Sequence, residues 1–177
     1  MNNQTDIQLS THVRWLIRRD MPEVLDVENA CFEYPWSKQD FICCMRRRNC
    51  IGMVAEHDSQ VVGFMVYELT KDQLYLMSFA VRPDLQRCGV GTLMISKLIS
   101  KLSPGRRDKI DLEVRETNLA AQLFLKRMGF VAVAILRGYY DDTPDEAYVM
   151  QYQCRPESLP SVCQIAPVAN WRPQQDH

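Results

Sequence analysis

The sequence offers little to any function that needs excess charge, a membrane span or a metal. Its 21 Lys and Arg against 22 Asp and Glu leave a net charge of −1, so neither nucleic acid nor an anionic lipid surface is indicated as the main partner. No apolar run approaches the ~18–20 residues that cross a bilayer. The polar stretch from Met1 to His12 lacks the apolar core of a secretion signal. Three histidines lie scattered, with no Cys-x-x-Cys pair beside them, which argues against a metal site. The seven cysteines cannot all pair, and Cys43 beside Cys44 with the rest scattered is no disulfide framework. Reduced thiols fit the cytoplasm. No internal repeat divides the 177 residues, which suffice for one domain with a real core.

What the chain does have is concentrated between Leu74 and Ile99. Leu74 to Val81 (LYLMSFAV) is β-rich and long enough for a buried strand. Pro83 ends it, because proline cannot donate to a ladder and restricts the residue before it. From Val90 the apolar residues Val90, Leu93, Met94, Leu98, Ile99 and Leu102 recur at helical spacing. Between strand and helix lie Gln86, Arg87, Cys88, Gly89, Val90, Gly91 and Thr92. Glycines here permit tight turns and close approach of a ligand to the backbone, and the first N–H groups of a helix have no internal partner. With the helix dipole and Arg87 they make an anion cradle suited to a pyrophosphate. A dinucleotide fingerprint is excluded, because Met94 stands where its third glycine belongs, and no Gly-Lys-Ser/Thr ends a P-loop.

The remaining chain reads as alternating structure. Met1 to His12 is expected to be a flexible leader, and Val13 to Arg18 a short strand. Asp20 is expected to cap a helix, with Glu23 as its partner and Pro22 in the first turn. Ser37 caps a second helix from Lys38 to about Arg47, with Asp40 at its third position. In the loop between them, Phe32, Tyr34 and Trp36 fit two readings, a plug between helices or a wall against a substrate. Arg46-Arg47-Arg48 is a solvated helix end. Ile51–Glu56 and Val61–Leu69 form a hairpin over His57-Asp58-Ser59-Gln60, which makes His57 a turn residue and not a base. Ile110 to Arg115 alternates strictly, with Ile110, Leu112 and Val114 on one face and Asp111, Glu113 and Arg115 on the other. Asn118 caps a helix closed by Gly129. A strand from Val131 to Leu136, a turn at Tyr139 and Tyr140, and a strand from Ala147 follow. From residue 154 a Pro- and Gln-rich tail is expected to lie outside the 13–153 domain. The order β-α-α-β-β-β-α-β-α-β-β is that of a mixed α/β (α+β) domain.

Gln86-Arg87-Cys88-Gly89-Val90-Gly91 is similar to the Gln/Arg-x-x-Gly-x-Gly/Ala signature of the GNAT acyltransferases, which hold the pyrophosphate of acetyl-CoA. Ala80-Val81-Arg82-Pro83, Leu112-Glu113-Val114-Arg115, Asn118 and Met128-Gly129-Phe130 resemble the same family at the expected distances. With Tyr34-Pro35-Trp36-Ser37 the chain resembles the RimI branch, which acetylates the N-terminal alanine of a ribosomal protein. The resemblance implies a central, mostly antiparallel twisted sheet flanked by helices, with acetyl-CoA as co-substrate and no metal. It implies a protein N-terminus as partner, a monomer, and no direct contact with nucleic acid or membrane. It assigns Glu113 as general base, the main chain of Phe79, Ala80 and Val81 to the pantetheine arm and acetyl group, and Asn118 to the pantetheine. It gives the peptide a wall of Tyr34, Pro35, Trp36, Tyr139 and Tyr140. Without it, Glu113 reads as a solvated strand residue beside Arg115. One departure stands out: Leu125 occupies the position of the branch's acid tyrosine, and no tyrosine occurs from Val90 to Ile135. Tyr139 and Tyr140 are the candidates to replace it. An acetyltransferase for a small amine or lysine, or a weakly catalytic acetyl-CoA binder, is the alternative reading.

Overall fold

The computed structural model describes residues 10–140 and 143–154. Strand β1 (His12–Trp15) leads through a short 3-10 turn, Arg18–Asp20, into helix α1 (Met21–Cys31) and then α2 (Lys38–Met45). Strands β2 (Cys50–His57), β3 (Gln60–Leu69) and β4 (Gln73–Val81) follow as a meander. A second 3-10 turn, Pro83–Leu85, precedes α3 (Val90–Ile99), β5 (Lys109–Arg115), α4 (Leu119–Arg127), β6 (Val131–Leu136) and β7 (Ala147–Gln153). The strands form one seven-stranded sheet in the order β1-β2-β3-β4-β5-β7-β6. Only β4 and β5 run parallel; every other neighbouring pair is antiparallel. The element order and fold class are those expected, although β1 includes His12 and stops at Trp15. Of the expected leader, residues 1–9 lie outside the described residues, as does the tail from Arg155, whereas Thr11 is buried and His12 belongs to β1.

The helices cover the sheet from both sides, each side with its own core. Leu74, Val90, Met94, Leu98, Ile110, Leu112, Val114 and Leu125 pack together beneath α3 and α4. Val24, Val27, Phe41, Phe64, Val66 and Ala80 pack beneath α1 and α2. Strand β5 obeys its alternation, with Ile110, Leu112 and Val114 buried and Asp111, Glu113 and Arg115 between them half-buried. The β2–β3 turn puts both Asp58 (φ 49°) and Ser59 (φ 63°) in the left-handed region, the pairing whose twist suits a two-residue hairpin.

The helix starts divide. Ser37 accepts from the Asp40 N–H at 3.3 Å, and Asp40 accepts the Ser37 N–H at 2.8 Å, the reciprocal cap expected there. Asp20 does not cap α1 with its side chain. Its buried carboxylate accepts from the Arg14 guanidinium at 2.6 and 2.9 Å and from the Ile17 N–H at 2.9 Å. A bidentate cation on a neighbouring strand outcompetes the helix N–H groups for it. Glu23, the expected capping partner, instead accepts the Val61 N–H of β3 at 2.7 Å.

Candidate active site

The site begins where two strands part. β4 and β5 are paired only through Gln73–Lys109, Leu74–Ile110 and Tyr75–Asp111. Past Tyr75 the register of β4 with β3 jumps from Tyr67–Leu76 to Val66–Ser78, which makes Met77 the extra residue of a β-bulge. The bulge sharpens the local twist and carries β4 away from β5. Arg82 N–H donates to Val62 C=O at 2.9 Å. Hydrogen-bonded and non-bonded pairs alternate along an antiparallel ladder, so Ala80 is bonded to Phe64 of β3. Phe79 and Val81 therefore turn their main chain to the gap, whereas Ala80 turns its to β3. The Val81 carbonyl already accepts from Gln86 Nε2 at 3.0 Å and Cys31 Sγ at 3.3 Å. That leaves the peptide groups of Phe79 and the Val81 N–H for a ligand.

On the α3 side of the gap lies the glycine turn. Arg87 (φ 63°) and Gly89 (φ 87°) are both left-handed. Successive N–H groups in such a turn form an anion-binding concavity, and Gly89 does this without the steric cost a side chain would bring. The first helical bond of α3 runs from Leu93 N–H to Gly89 C=O at 3.0 Å, so Val90, Gly91 and Thr92 have no intrahelical acceptor for their N–H groups. The donor set and Arg87 fit a pyrophosphate. Gly91 has a second constraint: a Cβ there would stand 3.3 Å from the Phe124 ring and 3.5 Å from that of Phe79. These two rings stack at 6.1 Å and 17° beneath it, tying α4 to β4. Cys88 is half-buried within the same turn. Asn118 caps α4 through Oδ1, 3.1 Å from the Ala121 N–H, which leaves its Nδ2 to reach a ligand.

The opposite face of the gap holds the ionisable groups. Glu113 projects on the half-buried side of β5, and Tyr75 Oη donates a hydrogen bond to Glu113 Oε2. Burial pushes the Tyr75 phenol well above the usual tyrosine range, with the Glu113 carboxylate and Tyr139 adding to the shift. Arg115, two residues on, packs its guanidinium 5.4 Å from the Tyr34 ring and 3.7 Å from the Tyr140 ring. It also donates to Thr143 Oγ1 at 2.6 Å and approaches Asp145 Oδ2 at 3.4 Å. The α1–α2 loop and the β6–β7 connection thus become two lips joined by one cation. Tyr139 and Tyr140 stand edge to face at 5.0 Å. Tyr34 and Pro35 are exposed, but Trp36 turns inward onto Phe41, with centroids 5.3 Å apart. The Trp36 N–H donates to the buried Glu28 Oε1 at 2.8 Å. Tyr34 thus lines the slot and Trp36 plugs the helices, so each reading of the aromatic loop applies to a different ring.

Sequence reasoning missed Tyr75 and Arg115. Alternation along β4 already set Tyr75 opposite Leu74 and Leu76, but its meeting with a carboxylate 38 residues away depends on the β4–β5 register. Leu125 is 2% exposed within the core, so that position supplies no polar group to the gap. Among the described residues, no group of three or more His, Cys, Asp or Glu side chains is placed to hold a metal ion.

Comparison with known proteins agrees with this geometry. Residues 21–130 match the family model described as "Acetyltransferase (GNAT) family". The chain is 30% identical over 121 residues to the [ribosomal protein bS18]-alanine N-acetyltransferase of Salmonella typhimurium, covering 68% of this chain and 81% of the relative. It superposes on the crystal structure of the ribosomal-protein-S18-alanine N-acetyltransferase from Escherichia coli with a TM-score of 0.74 at 26% identity, covering 84% of this chain and 98% of that one. Ard1 from Thermoplasma volcanium gives a TM-score of 0.75 at 26% identity, covering 82% and 99%. The chain belongs to the GNAT acetyltransferase family, as an acetyl-CoA-dependent N-acetyltransferase of its RimI-like branch.

Proposed function

We propose that this enzyme acetylates the N-terminal α-amine of a protein, with the alanine end of a ribosomal protein as the substrate its relatives suggest. The observation that carries the reading is Glu113, set at the foot of a two-lipped aromatic slot, across the β4–β5 gap from the anion cradle. Its lips carry Tyr34 and Pro35 on one side and Tyr139 and Tyr140 on the other, with Trp36 packed on Phe41 behind the first lip. Such an aromatic lining suits an extended chain end. The reading is of a cytoplasmic monomer, and the net charge of −1 gives no support for direct nucleic-acid or membrane contact.

In this reading the main-chain N–H groups from Arg87 to Thr92 hold the pyrophosphate of acetyl-CoA. Phe79, Val81 and the Asn118 amide align the pantetheine through the gap. A peptide α-amine has a pKa of ~7.7–8.0, so near neutral pH much of it must lose a proton before it can react. Glu113, directly or through one water, takes that proton. The nitrogen lone pair attacks the thioester carbonyl, forming the C–N bond. Backbone N–H groups at the open edge of β4 stabilise charge on the carbonyl oxygen, a contribution of about 2.7–4 kcal/mol per donor in comparable sites. The C–S bond then breaks, releasing the carrier as a thiolate, and the extra proton on nitrogen passes to that thiolate or to water, which leaves a neutral amide. A thiol pKa of ~8.5 makes its thiolate a tolerable leaving group, so a site without a tyrosine at position 125 still turns over.

Thiol release from acetyl-CoA with peptides beginning Ala, Ser or Met tests the reading, with mass spectrometry locating the acetyl group. The expected result is α-amine acetylation, slowed by roughly 10²–10⁴-fold in Glu113→Gln. Acetyl on a lysine side chain, or acetyl-CoA binding without thiol release for any peptide, overturns it.

A further inference from the structure

We propose that Tyr75 is the positioning residue for Glu113: its hydroxyl fixes one carboxylate oxygen, Oε2, so that the other, Oε1, faces the substrate amine. This rests on the reading of Glu113 as the base. The contact joins side chains on two strands that are paired just below it. Tyr75 and Asp111 are the last registered pair before β4 and β5 diverge. Glu113 lies two residues further along β5, where the next side chain on the same face projects beside the gap. The tyrosine thus stands at the vertex of the wedge, and its hydroxyl reaches the carboxylate from the closed end.

The groups facing Glu113 leave this task to Tyr75. On its own strand, Asp111 accepts from Gln151 Nε2 at 2.8 Å and Arg115 is engaged by Tyr34, Tyr140 and Thr143. Its cross-strand partner on β7, Val149, has no polar side chain. Tyr139 approaches through Tyr75. A lone glutamate on a half-buried strand face has several rotamers, and a charge-assisted hydrogen bond to one oxygen selects among them. Tyr75 is not thereby the missing acid. An ordinary phenol pKa of ~10 already lies about 30-fold above a thiol of ~8.5, and burial widens the difference. The structure thus places a tyrosine on the base, from β4, in a molecule whose helix α4 carries none.

The test is a double-mutant cycle on the full chain, with acetyl-CoA and an Ala-initiated peptide. Tyr75→Phe is expected to lower kcat roughly tenfold, with the KM for acetyl-CoA unchanged. In the Glu113→Gln background, Tyr75→Phe should cost nothing further, because it acts through that carboxylate. The 13C chemical shift of Tyr75 Cζ at neutral pH adds a readout that mere packing would not move. It reports the hydrogen bond from the phenol to the carboxylate and is expected to change in Glu113→Gln, where that charge is gone. Full activity in Tyr75→Phe beside a slow Glu113→Gln overturns this role alone. The same holds if the two losses multiply, or if the Tyr75 Cζ shift is unchanged in Glu113→Gln. Full activity in Glu113→Gln overturns the assignment of the base, and this role falls with it.

Discussion

Arg115 shows how one side chain can hold together the two lips of the proposed peptide slot without touching the reacting atoms. Its guanidinium lies between the rings of Tyr34 and Tyr140, and Thr143 accepts from Nη1. Each cation–ring contact is worth about 0.5–2 kcal/mol, more as it is desolvated. Arg115→Ala is therefore expected to raise the peptide KM several-fold and leave the KM for acetyl-CoA unchanged, as steady-state kinetics in both substrates would show. Arg115→Lys should recover only part of the loss, because an ammonium cannot lie flat against two rings. In the proposed reading, Gly89 acts on the other substrate. At φ 87°, Gly89→Ala costs about 1 kcal/mol of backbone strain, and the expected outcome is weaker acetyl-CoA binding at unchanged peptide KM. The glycine turn was legible as a local pattern, two glycines before a helical repeat. Strict alternation put Glu113 on the half-buried face of β5, but its part as base came only from the family resemblance. Tyr75 and Arg115 were not legible, since both take their meaning from residues on other elements.

At the scale of elements, α1 departs most from its sequence signals. Its acidic residues were legible as helix-start chemistry, yet Asp20 and Glu23 are drawn off by β1 and β3, and a third acid, Glu28, is buried facing β4. Local propensity cannot foresee a tertiary partner that competes for the same carboxylate. The cap of α2 was readable because Ser37 and Asp40 satisfy one another within a single turn. Burial raises the Glu28 carboxyl above the usual carboxylate range, with the Trp36 N–H and Ser78 hydroxyl opposing the shift without cancelling it. An acid raised in the folded state stabilises most below its unfolded value of ~4.3, and that contribution falls as pH rises through the folded value. Glu28→Gln keeps an acceptor for the Trp36 N–H and removes the charge. Its Tm is thus expected to gain on the wild type between about pH 4 and neutrality. Parallel melting curves would show that Glu28 carries no such burden.

For the molecule as a whole, the chain order was legible because each strand and helix announces itself by period. The parallel junction of β4 with β5 was not, because nothing in a string of residues states which edges meet. Acid lability is a property at this scale, because the Arg14–Asp20–Glu56 cluster joins β1, the first turn and β2. Burial disfavours the Asp20 charge, but the Arg14 and Ile17 bonds outweigh it and hold the carboxyl below the usual range. Its contribution is present above the unfolded value of ~3.9 and is lost as pH falls through the folded value. Asp20→Asn should reduce stability at neutral pH by about 2 kcal/mol, and urea titrations should find that difference shrinking as the pH drops below about 4.

The short β4–β5 junction also has a mechanical side. Among the described residues, three residue pairs are the only strand pairing between a half built on β1 to β4 and a half built on β5 to β7. The molecule resembles a book bound only at the top of its spine, with side-chain packing under α3 and α4 as the glue. A thioester lying between the pages is then a clip as well as a reagent. It would suppress independent opening of the two halves, and hydrogen exchange in both should slow together on its addition. At a hundredfold excess over Kd the added stability would be about 2.7 kcal/mol. Once the acyl group has gone and the carrier leaves, the binding loosens again, so each turnover would be accompanied by a breath of the whole sheet.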